Sequence, residues 1–320
     1  MSVAVIGGGA FGTALALSLA RSGHSVRIWA RDQATITAIN TTRQSPRLAG
    51  VVLPNAIRAD ADIDVVARAE TVLLAVPMQA LASVLHQIDG PLKGQRLVAC
   101  CKGIDLETLH GATATIASAK PAAVPAILSG PSFAVDIAAN LPTALTLACT
   151  MASQGALLQE QLSGFPIRIY RSTDTIGVEL GGALKNVIAI ACGACIGQGL
   201  GESARAALMT RGFAEMTRLA TRLGAAPKTL AGLSGFGDLA LTCMSEKSRN
   251  YRFGLSLGLG LPCETDITIE GVKTAEAVTR LAADLGLDMP ICKTVHDISG
   301  GEYSVAEAIQ YLLNRPLKEE

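Results

Sequence analysis

The chain has no surplus of either charge: 27 lysines and arginines face 27 aspartates and glutamates across 320 residues. That balance gives no electrostatic reason to expect a nucleic acid or a membrane surface as partner. Its apolar stretches, such as 187–196, fall short of the roughly 20 residues that cross a bilayer. Internal repeats, low-complexity tracts and long charge runs are also missing, so neither a repeat array nor a disordered tail is indicated. No secretory leader is expected, because an apolar strand pattern occupies the start, and the expectation is a soluble, cytoplasmic protein. The eight cysteines (Cys100, Cys101, Cys149, Cys192, Cys195, Cys243, Cys263 and Cys292) do not read as a metal or disulfide framework. Cys192 and Cys195 have CxxC spacing, but there is no second pair and no histidine at ligand spacing, and Cys100 and Cys101 are adjacent. Buried thiols acting as small hydrophobes are the better account, and no metal is expected.

Against these absences stands a glycine-rich turn at the start, GGGAFG over 7–12, between the apolar run Val3-Ala4-Val5-Ile6 and a small-residue amphipathic stretch over 10–20. Strand, glycine turn and helix in that order suit a dinucleotide pyrophosphate. Gly7 takes the tight turn, Gly9 lets the backbone approach phosphate, and Gly12 lets helix pack on strand. The helix N-terminus then offers unpaired N–H groups and a partial positive charge. With 32 glycines in the chain a bare GxGxxG is weak, and a ligand-free turn beside a solvated arginine is the plain alternative. Context adds weight: a second apolar strand over 25–30 ends in Arg31. An acidic residue at that point bonds the ribose 2′-hydroxyl of NAD, whereas an arginine suits a 2′-phosphate, so NADP(H) is expected to be preferred, with NAD(H) possible.

The length suggests two domains. Strand patterns fall at 3–6, 25–30, 71–75, 96–100, 126–129, 143–148 and 167–170, alternating with amphipathic segments. Continuous apolar strands of this kind predict an α/β, Rossmann-type doubly wound sheet covered on both faces, with the first four strands parallel and the later ones less certain in direction. Beyond Tyr170 helical periodicity takes over, at 174–196, 204–223, 237–242, 249–257, 272–285, 289–298 and 305–313. The expected division is 1–172, a dinucleotide-binding domain, and 173–320, an all-helical domain, with Thr173 or Asp174 capping the first long helix.

The second region is apolar, so its clustered polar residues stand out. Lys185 and Asn186 sit in the first long helix among residues that should be buried. Desolvation there would move a lysine toward the range useful for proton transfer, although snorkelling to the surface is an equal alternative. Asp238 and Thr242, four apart, share a helix face. Ser248, Arg249 and Asn250 at a helix start make a phosphate cradle with a guanidinium fork, or else an ordinary cap beside a solvated arginine. In the first region Cys101-Lys102-Gly103 and Ser129-Gly130-Pro131-Ser132-Phe133-Ala134 follow strands, and ligands of open α/β sheets bind outside strand carboxyl ends.

With these motifs together, the chain closely resembles the bacterial NAD(P)-dependent glycerol-3-phosphate dehydrogenases over essentially its whole length. The resemblance rests on GGGAFG, Lys102-Gly103, GPSFA at 130–134, Leu184-Lys185-Asn186-Val187, Gly235-Phe236-Gly237-Asp238-Leu239, Ser248-Arg249-Asn250 and Ile269-Glu270-Gly271-Val272-Lys273-Thr274. It implies a 6-phosphogluconate-dehydrogenase-like two-domain plan. It also implies reversible reduction of dihydroxyacetone phosphate to sn-glycerol 3-phosphate for glycerophospholipid synthesis. By the family pattern Lys185 donates the proton to the carbonyl oxygen, and Asp238 positions that lysine and a substrate hydroxyl. Lys102, Gly130, Ser132, Ser248, Arg249 and Asn250 line the substrate with them. Phe11, Arg31, Lys102, Ala134, Arg249, Thr268 and Glu270 join Gly7, Gly9 and Gly12 in the cofactor site.

The chain departs from the pattern at Cys100-Cys101, where small or hydroxylated residues are expected, and at Ser203, where many relatives carry Asn. The competing readings are a β-hydroxyacid dehydrogenase, whose substrate has a carboxylate in place of the phosphate, and a non-catalytic NADP(H)-binding sensor. A homodimer through the apolar helical region is expected.

Overall fold

In a computed structural model residues 2–262 and 268–316 are described, and Cys263 lies outside them. By internal contacts the chain forms two compact units, Met1–Lys102 with His110–Glu179, and Gly103–Leu109 with Leu180–Glu320.

The first unit is built on eight strands: β1 (Val3–Ile6), β2 (Val26–Trp29), β3 (Ile57–Asp60), β4 (Thr71–Leu74), β5 (Arg96–Ala99), β6 (Val124–Ser129), β7 (Thr143–Ala148) and β8 (Ile167–Ser172). Their order is β3-β2-β1-β4-β5-β6-β7-β8. Pairing is parallel from β3 through β6; β7 runs antiparallel to β6, and β8 parallel to β7. The continuous apolar runs arise because successive side chains enter two cores. Val3, Val5, Ile28, Leu73 and Val98 join one cluster, while Ala4, Ile6, Trp29, Leu74 and Leu97 join the other. β3 was missing from the strand pattern. It is an edge strand reading Ile-Arg-Ala-Asp, with Arg58 exposed, so it offers only two apolar residues.

In the second unit helices span Thr175–Gly197, Gly201–Arg222, Asp238–Cys243, Arg249–Leu259, Glu270–Leu285, Pro290–Gly300 and Val305–Leu313, with a short turn at Pro227–Leu230. Asp174 caps the first of these, its Oδ1 accepting the Gly177 N–H at 2.8 Å. That helix, of mean hydropathy 1.6, meets the length and composition of a membrane span, yet 83% of its most apolar window is buried inside the protein. Its Val187, Ile188, Ala189 and Ile190 are wholly buried at the centre of the unit's core. The Arg249–Leu259 helix meets it at backbone contact. A Cβ on Gly254 would stand 2.0 Å from the Ile190 carbonyl oxygen, and one on Gly193 would stand 2.1 Å from that of Tyr251. This interlock seats Ser248-Arg249-Asn250 against the helix that bears Lys185.

The seven described cysteines form no disulfide and are buried. Burial pushes the Cys100 thiol up to about 12, and Cys101 Sγ lies 3.8 Å from Met78 Sδ, so both sulfurs behave as core atoms.

Candidate active site

The glycine turn has the local geometry its residues imply. Gly7 sits at φ +126°, and a Cβ on it would lie 2.4 Å from the Ala75 carbonyl oxygen. A Cβ on Gly12 would lie 2.2 Å from Gly7 O, which is the close helix-to-turn packing assigned to that position. Gly9 is different: a Cβ there meets nothing within 4 Å. Gly9 is also the N-cap of the Ala10–Arg21 helix and supplies no side-chain acceptor to its first N–H groups. Open space before an uncapped helix N-terminus fits a pyrophosphate. Phe11 and Ala134 are half-buried at the rim of one sheet core.

Arg31 is exposed two residues beyond β2 and makes no hydrogen bond or ion pair among the described residues. The neighbouring Asp32 is committed elsewhere. It caps the Gln33–Thr37 helix through Ala34 N and Thr35 N at 3.1 Å and takes the Thr35 hydroxyl at 2.7 Å. The Thr35 hydroxyl and then the two amides hold its carboxyl below the usual range.

Beyond β5 and β6, three candidates converge on one carbonyl. Lys102 Nζ donates to Gly130 O at 3.2 Å and Ser132 Oγ donates to the same oxygen at 3.3 Å, while Gly130 holds φ +144°.

In the second unit Lys185 does not snorkel. Its side chain is 7% exposed, and Nζ donates to Asp238 Oδ1 at 2.5 Å and to Thr242 Oγ1 at 2.8 Å. Asp238 is fully buried, and the Thr242 hydroxyl donates to it at 3.3 Å. Thr242, left out of the candidate set, was marked by its four-residue spacing from Asp238. A turn of π-helix at Leu233–Gly237 leads directly into Asp238, and a Cβ on Gly181 would lie 2.6 Å from Ser234 O. The approach of that turn therefore depends on glycine in the lysine's own helix.

In the Ser248-Arg249-Asn250 run the structure shows the helix cap beside an exposed arginine. Ser248 caps its helix, with Oγ accepting the Tyr251 N–H at 3.2 Å, and Asn250 Oδ1 accepts the Gly271 N–H at 3.0 Å. Arg249 is exposed and makes no hydrogen bond or ion pair among the described residues. Gly271 packs beside Asn186, since its Cβ would meet Asn186 O at 2.8 Å, and the half-buried Glu270 opens the same helix. Thr268 is exposed and none of these contacts involves it. No group of three metal-ligating side chains occurs among the described residues.

A doubly wound sheet with this glycine turn, and a helical unit that buries a lysine against a carboxylate, point to the class of NAD(P)-dependent dehydrogenases. The family model described as NAD-dependent glycerol-3-phosphate dehydrogenase N-terminus matches residues 2–154, and its C-terminal counterpart matches 174–310. Glycerol-3-phosphate dehydrogenase [NAD(P)+] of Paracoccus denitrificans is 56% identical over the whole of both chains, and the enzyme of that name from Ruegeria is 54% identical, again over both chains entire. The crystal structure of glycerol-3-phosphate dehydrogenase from Coxiella burnetii superposes with a TM-score of 0.92 at 37% identity, covering 98% of this chain and 99% of that one. The chain belongs to the NAD-dependent glycerol-3-phosphate dehydrogenase family.

Proposed function

We propose that this chain reduces dihydroxyacetone phosphate to sn-glycerol 3-phosphate, reversibly and with NADPH preferred over NADH, and that it supplies glycerophospholipid synthesis in the cytoplasm. The observation that carries the reading is the buried Lys185–Asp238–Thr242 cluster. When bound, the nicotinamide supplies or accepts the hydride. As the carbonyl carbon gains that hydride its oxygen gains charge, and an N–H of Lys185 supplies the proton there; in the reverse direction the amine takes the hydroxyl proton. Asp238 and Thr242 fix Nζ, which converts proton transfer from an encounter into a positioned event.

Residues 1–172 are read as the dinucleotide-binding domain and 173–320 as the substrate domain. Gly7, Gly9, Phe11, Gly12, Ala134, Thr268 and Glu270 hold the dinucleotide, with Arg31 on its 2′-phosphate. Lys102, Gly130, Ser132, Ser248 and Asn250 line the substrate. Arg249, exposed and unpaired, is the guanidinium fork for the substrate phosphate and also reaches the cofactor. Exposed Phe236, Met244, Leu259 and Leu261 support a homodimer formed through the helical unit, which light scattering would test.

The decisive assay follows NADPH oxidation with dihydroxyacetone phosphate, with unphosphorylated dihydroxyacetone, and with 3-carbon hydroxy-acid precursors, then repeats each with NADH. Fast turnover that requires the phosphate is expected. Turnover on the carboxylate substrates, or NADPH binding without turnover on any of them, would overturn the proposal.

A further inference from the structure

A cleft of about 700 Å³ opens in the first unit against β1, β2, β3 and the Ile63–Ala67 helix, at the amino ends of β1 and β2 and along β3. The glycine turn follows β1 at its other end, three residues and about 10 Å from Ala4 on the cleft floor. Three arginines line the cleft: Arg27, Arg58 and Arg68. In the parallel register Arg27 stands directly beside Arg58 on neighbouring strands, which are about 4.8 Å apart. Like charges in that position repel and weaken the pairing. A single carboxylate answers them: Asp60 lies 3.7 Å from Arg27, at an exposed ion pair. Among the described residues Arg58 and Arg68 make no hydrogen bond or ion pair, and the positive charge of Arg58 also acts on Arg43, whose guanidinium is occupied by the carbonyls of Leu53 and Ile57. Beside the arginines the accessible apolar floor is the half-buried Val65 and Ala69, with Ala4 and Val66 buried beneath.

We propose that this cleft binds a nucleotide polyphosphate, at a site distinct from the dinucleotide turn. Arg27 and Arg58 fork the phosphates side by side, Arg68 closes on them from the helix end, and the small apolar floor takes the face of the base. Two adjacent guanidiniums match two neighbouring phosphate groups better than one phosphomonoester, and the apolar floor has no use for a bare inorganic anion.

The test is calorimetric titration of the intact protein with magnesium-free ATP while NADPH is held at saturation, beside titrations with pyrophosphate and with adenosine. ATP is expected to bind without displacing NADPH, and more tightly than either fragment. Arg58→Ser with Arg68→Ser should weaken it about a hundredfold, a decade for each lost guanidinium contact. NADPH affinity and basal turnover should stay as in the wild type, since neither residue belongs to the catalytic or cofactor set. Arg58→Lys, keeping charge without the fork, should weaken ATP by only about threefold. Displacement of ATP by NADPH, equal affinity for pyrophosphate, no binding at ~1 mM ATP, or unchanged affinity in the double variant would each overturn the proposal. Should the double variant not fold, the wild type still decides: ATP affinity must fall steeply with ionic strength, and a salt-independent affinity refutes arginine capture of a polyphosphate.

Discussion

Replacing Asp238 by Asn keeps the shape of the site and removes one charge from a pair that has almost no solvent. Lys185 is 7% exposed and Asp238 not at all, so the variant leaves an ammonium held by Thr242 and a neutral amide. Breaking a buried pair by removing one partner costs about 3–5 kcal/mol, whereas removing both charges with apolar groups of similar volume is near neutral. Asp238→Asn and Lys185→Met should therefore each lose about 3 kcal/mol or more, and Lys185→Met with Asp238→Leu should return to within about 1 kcal/mol of the wild type. Chemical denaturation followed by far-ultraviolet circular dichroism reads the helical unit, while the fluorescence of Trp29, the single tryptophan, reads the sheet unit separately. All three variants should lose turnover by orders of magnitude while still binding NADPH. A double variant as unstable as the singles, or single losses below about 1 kcal/mol, would refute the claim that this pair is buried and retained for chemistry at a cost to the fold.

Burial raises the Glu179 carboxyl from 4.5 to about 7, against the opposing bond from Thr113 N–H at 2.5 Å. Between those values the folded state holds a proton that the unfolded chain has released, so the contribution of this group is greatest below about pH 4.5 and is lost as pH rises through about 7, a change of about 3 kcal/mol. Glu179→Gln should flatten that part of the stability profile, and an unchanged difference in unfolding free energy between about pH 5 and about pH 8 would refute it. Gly9→Ala should leave thermal stability intact, because its Cβ meets nothing, yet weaken NADPH binding; Gly12→Ala, 2.2 Å from a carbonyl oxygen, should lose about 1–3 kcal/mol of stability as well. Equal melting temperatures for the two variants would contradict this. Arg31→Asp should move cofactor preference from NADPH toward NADH, read as the ratio of kcat/KM for the two, and a constant ratio would assign the 2′-phosphate to another residue. Gly254→Ala, whose Cβ would lie 2.0 Å from Ile190 O, should destabilise the helical unit and raise KM for the phosphate substrate by shifting Arg249; a wild-type KM with a wild-type melting temperature would refute the interlock.

The sheet was legible where strands are buried on both faces. Thr143–Ala148 agrees to the residue with its apolar pattern, and β1, β4 and β5 are buried throughout. β3 was not, because an edge strand with arginine and aspartate at its outward positions lacks the apolar count on which the reading depends. The reversal of β7 was equally invisible, since direction is set by the connection and not by the strand's composition. The segment Gly103–Leu109 also escaped. It packs with the helical unit through buried Ile104 and an Arg280 bond to Leu106 O at 2.7 Å, a tertiary contact across more than half the chain. At the site, the family resemblance paired Lys185 with Asp238, but nothing local to either segment brings together residues 53 positions apart. That Ser248 caps its helix was open as an alternative and needed the geometry to resolve it.

Among the buried charges of the described residues, Arg96 and Asp297 pair with the exposed Glu70 and Lys293, and most others take backbone partners. Asp105 accepts the Glu107 and Thr108 amides, Lys120 donates to the Ile88 and Gly90 carbonyls, and Glu179 takes the Thr113 amide. Glu215 takes the amides of Ile291 and Cys292 at the start of the Pro290–Gly300 helix. Each of these satisfies backbone that a loop or a helix end leaves open, which is the ordinary reason for burying a charge. Lys185 and Asp238 instead meet each other and Thr242, side chain to side chain, in the middle of an apolar helical core. An apolar pair would fill that volume at less cost to stability. Retaining two charges there makes sense when one of them must hand a proton to something that arrives later, which is the role proposed for Lys185, 7% exposed against a fully buried Asp238.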